Sequence, residues 1–123
     1  MGRLHMNNEF AAMYRRQKHF INDILGLREY EPLTKEYVLR LQVEVCEIYN
    51  AAKLKQTRPT LTEQEREHLL EELIDCLKYL FNLSIVNRFS AEDMVRKFHE
   101  KSTSVEQRAK DEKWHEDTWP NPT

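Results

Sequence analysis

Two segments decide how this chain is read: Leu41-Gln42-Val43-Glu44-Val45-Cys46-Glu47-Ile48-Tyr49-Asn50, and Glu71-Glu72-Leu73-Ile74-Asp75-Cys76-Leu77. Each carries two carboxylates three residues apart inside an apolar pattern of helical period, Glu44/Glu47 in the first and Glu72/Asp75 in the second. In a helix, residues three apart lie about 60° from one another around the axis, so each pair projects from one face. On a helical wheel Glu44 falls at the edge of the stripe Val38, Leu41, Val45, Ile48 and Ala52. Carboxylates beside an apolar stripe are costly to desolvate unless a cation or hydrogen bonds satisfy them. Four such oxygen donors on two packed helices suit a hard divalent ion, Mg²⁺, Mn²⁺ or Ca²⁺.

The rest of the chain fits around these two helices. With 123 residues, 40% hydrophobic and 33% charged, it has the size of one domain with one core. Two Gly and four Pro leave little turn material, which argues for a few long helices rather than many strands. Residues 1–6 read as a loosely held start. A first helix is expected over about 8–26, with Phe10, Met13, Tyr14, Phe20, Ile21, Ile24 and Leu25 at helical spacing and Gly26 as its stop. After a connection holding Pro32, a second helix spans about 34–55. Thr62 with Glu65 three residues later forms a capping box opening a third helix over about 62–87. A tight break at Asn87, Arg88 and Phe89 precedes a fourth helix over about 90–109, and 111–123 is a polar tail. The expected architecture is therefore all-α and bundle-like, one domain over 1–110. Its long helices leave apolar faces to cover, so a homodimer or higher homo-oligomer is expected.

Several function classes drop out. A net charge of −2 with mixed signs gives no general surface for a nucleic acid polymer or an anionic membrane. The longest apolar stretch, around Tyr79 to Val86, is interrupted by Asn82 and Ser84 and is far too short to span a bilayer. Cys46 and Cys76 read as reduced thiols packed in or near a cytoplasmic protein's core. Di-iron bundles use Glu-x-x-His, and neither acidic pair is followed by a histidine at that spacing. The acidic pairs thus favour Mg²⁺, which is commonly held partly through substrate phosphates.

The two quoted segments resemble the E-x-x-E…E-x-x-D signature of the all-α nucleoside triphosphate pyrophosphatase (MazG-like) superfamily. The Leu-Gln-Val-Glu lead-in, Asn50 three residues after Glu47, and Gln17 with Phe20 are most similar to the dimeric dUTPase branch, including its phage members. The resemblance implies Mg²⁺, with Mn²⁺ as a substitute, held by Glu44, Glu47, Glu72 and Asp75. It gives Glu47, with Glu44, the catalytic role toward the attacking water. It further implies a nucleoside pocket lined by Gln17, Asn22 and Asn50, and phosphate contacts from Lys55, Lys101 and Arg108. The expected reaction is hydrolysis of a deoxynucleoside triphosphate, dUTP first, to the monophosphate and pyrophosphate. Two departures bear on the base. Thr57 stands near where the branch carries a Trp, and Val105 lies where it carries an Asn between the late Lys and Arg. They leave a dCTP-type or broader house-cleaning pyrophosphatase as the alternative, and a non-catalytic helical interaction protein as the rival from another class.

Overall fold

The computed structural model describes residues 2–27, 30–52 and 60–112, with side chains from residue 9 onward. Among these residues there are four α-helices and no strand: α1 (Gly2–His19), α2 (Leu33–Ala52), α3 (Glu63–Val86) and α4 (Ala91–Glu112). The first helix begins at Gly2, ahead of the expected start near residue 8, so the backbone of residues 2–6 is regular rather than loose. It ends in a π-helical turn, Phe20–Ile24. There Leu25 donates its N–H to the Phe20 carbonyl, and Gly26 follows with φ 74°, the left-handed conformation that glycine adopts without steric cost.

The principal packing is α2 against α3, with α1 against α3 as the second contact. The pair α2/α3 is antiparallel, as four pairings along it show. Thr34 accepts from Asn87 Nδ2 at 2.8 Å, the rings of Tyr37 and Tyr79 lie 6.1 Å apart, Glu44 meets Glu72 and Asp75, and Asn50 shares a groove with His68. α3 starts where the sequence places it. Glu65 N–H donates to Thr62 Oγ1 at 3.2 Å, and Thr62 N–H donates back to Glu65 Oε1 at 2.8 Å, closing the capping box. α3 ends in a Schellman arrangement: Phe89 N–H reaches Ser84 O and Arg88 N–H reaches Ile85 O, with Arg88 at φ 65°. Arg88 Nη1 is tied to Glu31 Oε1 at 2.8 Å.

The core lies at the C-terminal half of α3. Phe81, Ile85 and Val86 are buried there with Tyr14 and Ile21, and Phe10 and Tyr14 pack edge-on against Phe81 at 5.5 and 5.3 Å. Each such apolar side chain contributes about 1.5–3 kcal/mol on burial. The Tyr14 hydroxyl stays satisfied, donating to the Phe89 carbonyl and lying 2.9 Å from Ser84 Oγ.

Two sequence expectations are corrected. The inward line of α2 is buried Tyr37 with half-buried Leu41, Glu44 and Ile48, whereas Val38 and Val45, expected in the stripe, are exposed. Cys46 is exposed too, and only Cys76 is buried; both are free thiols. The cause is that α2 carries apolar residues on more than one face, so hydrophobic period alone does not fix its rotation. The described residues fall into two compact units, divided between Ser90 and Ala91. In the second unit, α4 carries its own surface ion pairs, Arg96–Glu100 at 3.2 Å and Lys97–Glu100 at 2.9 Å.

Candidate active site

Rotation of α2 about its axis determines which carboxylates meet. With Tyr37 buried against α3, Glu44, seven residues on, points the same way and is half-buried. It faces Glu72 and Asp75 across the helix pair. One oxygen from each of the three lies within 4.8 Å of the others. Glu47 is turned about 60° away and is exposed, lining instead an adjoining groove with Asn50, Ala51, Gln64, Glu65 and His68. That groove, of about 380 Å³, lies between the end of α2 and the first turns of α3.

The electrostatics of the cluster are unfavourable to its own charge. The Glu44 carboxyl is held above its ordinary value, first by desolvation and then by Asp75, Glu72 and Glu47. The neighbouring Cys76 thiol is raised as well, by burial and then by Glu44, Asp75 and Glu72. An imidazole stands at the rim: His68, one turn before Glu72, places Nε2 3.6 Å from Glu72 Oε1 and Nδ1 4.0 Å from Glu71 Oε2. An all-oxygen donor set, half-buried at Glu44 and Glu72 and mutually repelling, fits a hard divalent cation in both ligand type and charge.

The amide residues do not converge on one place. Gln17, on α1, is buried and donates Nε2 to Asn82 Oδ1 at 2.7 Å. Asn22 lies in the π-helical turn, its Oδ1 shut away from solvent with no hydrogen-bond partner among the described residues. Asn50 lies at the other end of α3, beside His68. His68 and Asn82 are fourteen residues apart on one helix, and at about 1.5 Å per residue this is about 21 Å, more than a nucleoside spans. Within one protomer, a single nucleoside does not reach both Asn50 and Gln17. Lys101 and Arg108 are exposed on α4, in the second unit, seven residues apart and so on one face. Lys55, Thr57, Trp114 and Trp119 lie outside the described residues.

Sequence reasoning passed over His68 and Asn82. His68 had a signal, its position four residues before Glu72 on the same face. Asn82 had one as well, since it interrupts an apolar run seven residues after Asp75, again on the same face.

The family model for dUTPase matches residues 9–117, which takes in α1 from its second turn, both acidic helices and α4. The chain belongs to the all-α dUTPase family. No curated protein and no solved structure gives a significant match. Membership places the chain among nucleotide hydrolases, and the matched range includes the two acidic segments that the fold sets face to face. No described helix is long and apolar enough to cross a membrane.

Proposed function

We propose that the protein hydrolyses dUTP to dUMP and pyrophosphate with Mg²⁺, Mn²⁺ serving as a substitute. The observation that carries this reading is the juxtaposition of Glu44 with Glu72 and Asp75 in a chain of the dUTPase family. Those three side chains hold the cation. When bound, the ion offsets the charge of the triphosphate and of the transition state at the α–β linkage.

The remaining work falls to the chain's own groups. Glu47 sits one turn beyond Glu44, exposed and outside the cluster, where its carboxylate can accept a proton from the water that attacks phosphorus. The Glu44 carboxylate aligns that water with the cluster. Attack breaks the bridging P–O bond and pyrophosphate departs with the electron pair. Gln17 and Asn22 read the base. The hydrogen bond to Asn82 fixes the Gln17 amide and leaves Gln17 Oε1 and one N–H outside that bond, an acceptor and donor matched to the N3–H and carbonyl edge of uracil. Lys55, Lys101 and Arg108 supply phosphate contacts, Arg by its bidentate fork.

The working form in this reading is a homodimer. Leu70, Leu73 and Leu80 on α3 and Val38 and Val45 on α2 are exposed at helical spacing, an apolar surface that a second copy covers. The free thiols suit the reducing cytoplasm.

The test is a hydrolysis panel with Mg²⁺ covering dUTP, dUDP, dCTP and the other common nucleotides. Turnover of dUTP, lost in Glu47→Ala and Asp75→Ala with the helical fold retained, supports the reading. A strong preference for dCTP overturns the base assignment. No turnover of any nucleotide, together with no Mg²⁺-dependent nucleotide binding, removes the enzyme reading in favour of a helical interaction protein.

A further inference from the structure

We infer that Asn82 is the positioning residue that sets the preference for uracil over cytosine, by holding the Gln17 amide in one of its two orientations. This rests on the dUTP hydrolase reading above, in which Gln17 meets the base, and it names the group that decides which base that is. Gln17 on α1 and Asn82 on α3 are both buried, at 9% and 8% exposure, and Gln17 Nε2 donates to Asn82 Oδ1 at 2.7 Å. A carboxamide is nearly symmetric in shape, so a half-turn about its last bond exchanges the oxygen with the amino group at little steric cost. The Asn82 oxygen removes that freedom. Turned over, Gln17 would set its own oxygen against Asn82 Oδ1, two buried acceptors with no proton between them.

The two orientations of the amide correspond to the two bases. As held, Gln17 keeps Oε1 and one N–H outside the bond to Asn82, an acceptor and a donor that pair with the N3–H and O4 of uracil. Cytosine reverses both groups, with a bare N3 acceptor and an N4 amino donor, and pairs with the amide only after the half-turn. The backbone that carries Gln17 is tied to α3 by a second polar contact one turn away, where the Tyr14 hydroxyl lies 2.9 Å from Ser84 Oγ. The amide is thus the part left to turn. Asn82 follows Asp75 by seven residues on the same face of α3, about 10 Å along the axis, which is within the length of a nucleoside. Asn22 Oδ1, in the π-helical turn that ends α1, is shut away from solvent with no partner among the described residues. This end of α1 therefore carries acceptor capacity that those residues leave unused, as a binding region does and a finished core does not.

The experiment measures kcat/KM for dUTP and for dCTP with Mg²⁺ at pH 8, on the full-length protein, in wild type, Asn82→Leu and Asn82→Asp, with helicity checked by circular dichroism. Leu keeps the branched shape and offers no acceptor, so the Gln17 amide turns over freely. The ratio of dUTP to dCTP is then expected to fall about tenfold, the worth of one oriented hydrogen bond. Asp accepts in either orientation and forbids the concerted half-turn of both amides that Asn82 permits, so with Asp the ratio is expected to hold or rise. Asn82→Ala serves where Leu is too large for the helix to fold, since it removes the same acceptor. Equal losses on both substrates, with the ratio unchanged in Leu or Ala, overturn the inference and leave Asn82 as core packing alone. A ratio that falls as far in Asp as in Leu overturns it too, because the acceptor is then not what matters. In both of those outcomes wild type still prefers dUTP and the function stands. A wild type that turns over no nucleotide fails the function itself, and one that prefers dCTP fails the base assignment and this inference with it.

Discussion

Replacing Glu44 by Gln should make the metal-free protein more stable while destroying its activity. Glu44 is half-buried against Glu72 and Asp75, with one oxygen of each within 4.8 Å of the others. Two like charges at that separation repel by about 1 kcal/mol in bulk water and by about 3–4 kcal/mol at an effective dielectric of 20. Asp75 is exposed, and each carboxylate spreads its charge over two oxygens, so the lower part of that range applies. Removing the Glu44 charge relieves two such pairs and the desolvation of the carboxylate. The gain should be about 1–2 kcal/mol, or about 4–8 °C in Tm for a domain of this size. Gln has nearly the helix propensity of Glu, so the backbone contributes little. The assay is thermal unfolding in EDTA from pH 4 to 8. The Glu44 carboxyl is raised in the folded state, so its favourable contribution is full below the ordinary carboxylate value of 4.5 and is lost as pH rises through the raised value. The Tm difference between Glu44→Gln and wild type should therefore be near zero at pH 4 and grow toward neutrality. A Gln variant no more stable than wild type at pH 7.5, or a difference independent of pH, would refute the idea that these carboxylates confront one another.

The same electrostatics apply to added metal. Millimolar Mg²⁺ or Mn²⁺ should raise the wild-type Tm at pH 7.5, by an increment that shrinks as pH falls through the carboxylate range and is absent in Asp75→Ala. Thr62→Ala removes the side-chain acceptor for Glu65 N–H and should destabilise by about 1 kcal/mol in chemical denaturation, with Thr62→Ser near wild type. Tyr14→Phe leaves Ser84 Oγ and the Phe89 carbonyl without their shared partner near the core, and should cost about 1–3 kcal/mol with no change in the urea m-value.

Much of this was legible in the residues. Scarce Gly and Pro, helical apolar period and the Thr62/Glu65 pair point to long helices, because each is a local property that the chain carries wherever it packs. The acidic segments were legible too, since a spacing of three fixes two carboxylates on one helix face in any tertiary setting. The positive φ at Arg88 shows where local rules stop. The break there was readable, but an arginine in the left-handed region owes its place to the turn carbonyls and to Glu31, which is fifty-seven residues away.

The sequence by itself thus determined four helices, the family signature and the two pairs Glu44/Glu47 and Glu72/Asp75. Tertiary structure alone decided which member of the first pair enters the cluster. Val38, Val43 and Val45 make α2 apolar on several sides, so burial of Tyr37 against α3, and not hydrophobic period, sets its rotation; the 60° between Glu44 and Glu47 then sends one carboxylate to Asp75 and the other to the groove. It also separated Gln17 from Asn50. An antiparallel helix pair places the two amides at opposite ends of α3, a distance that no spacing along the chain contains.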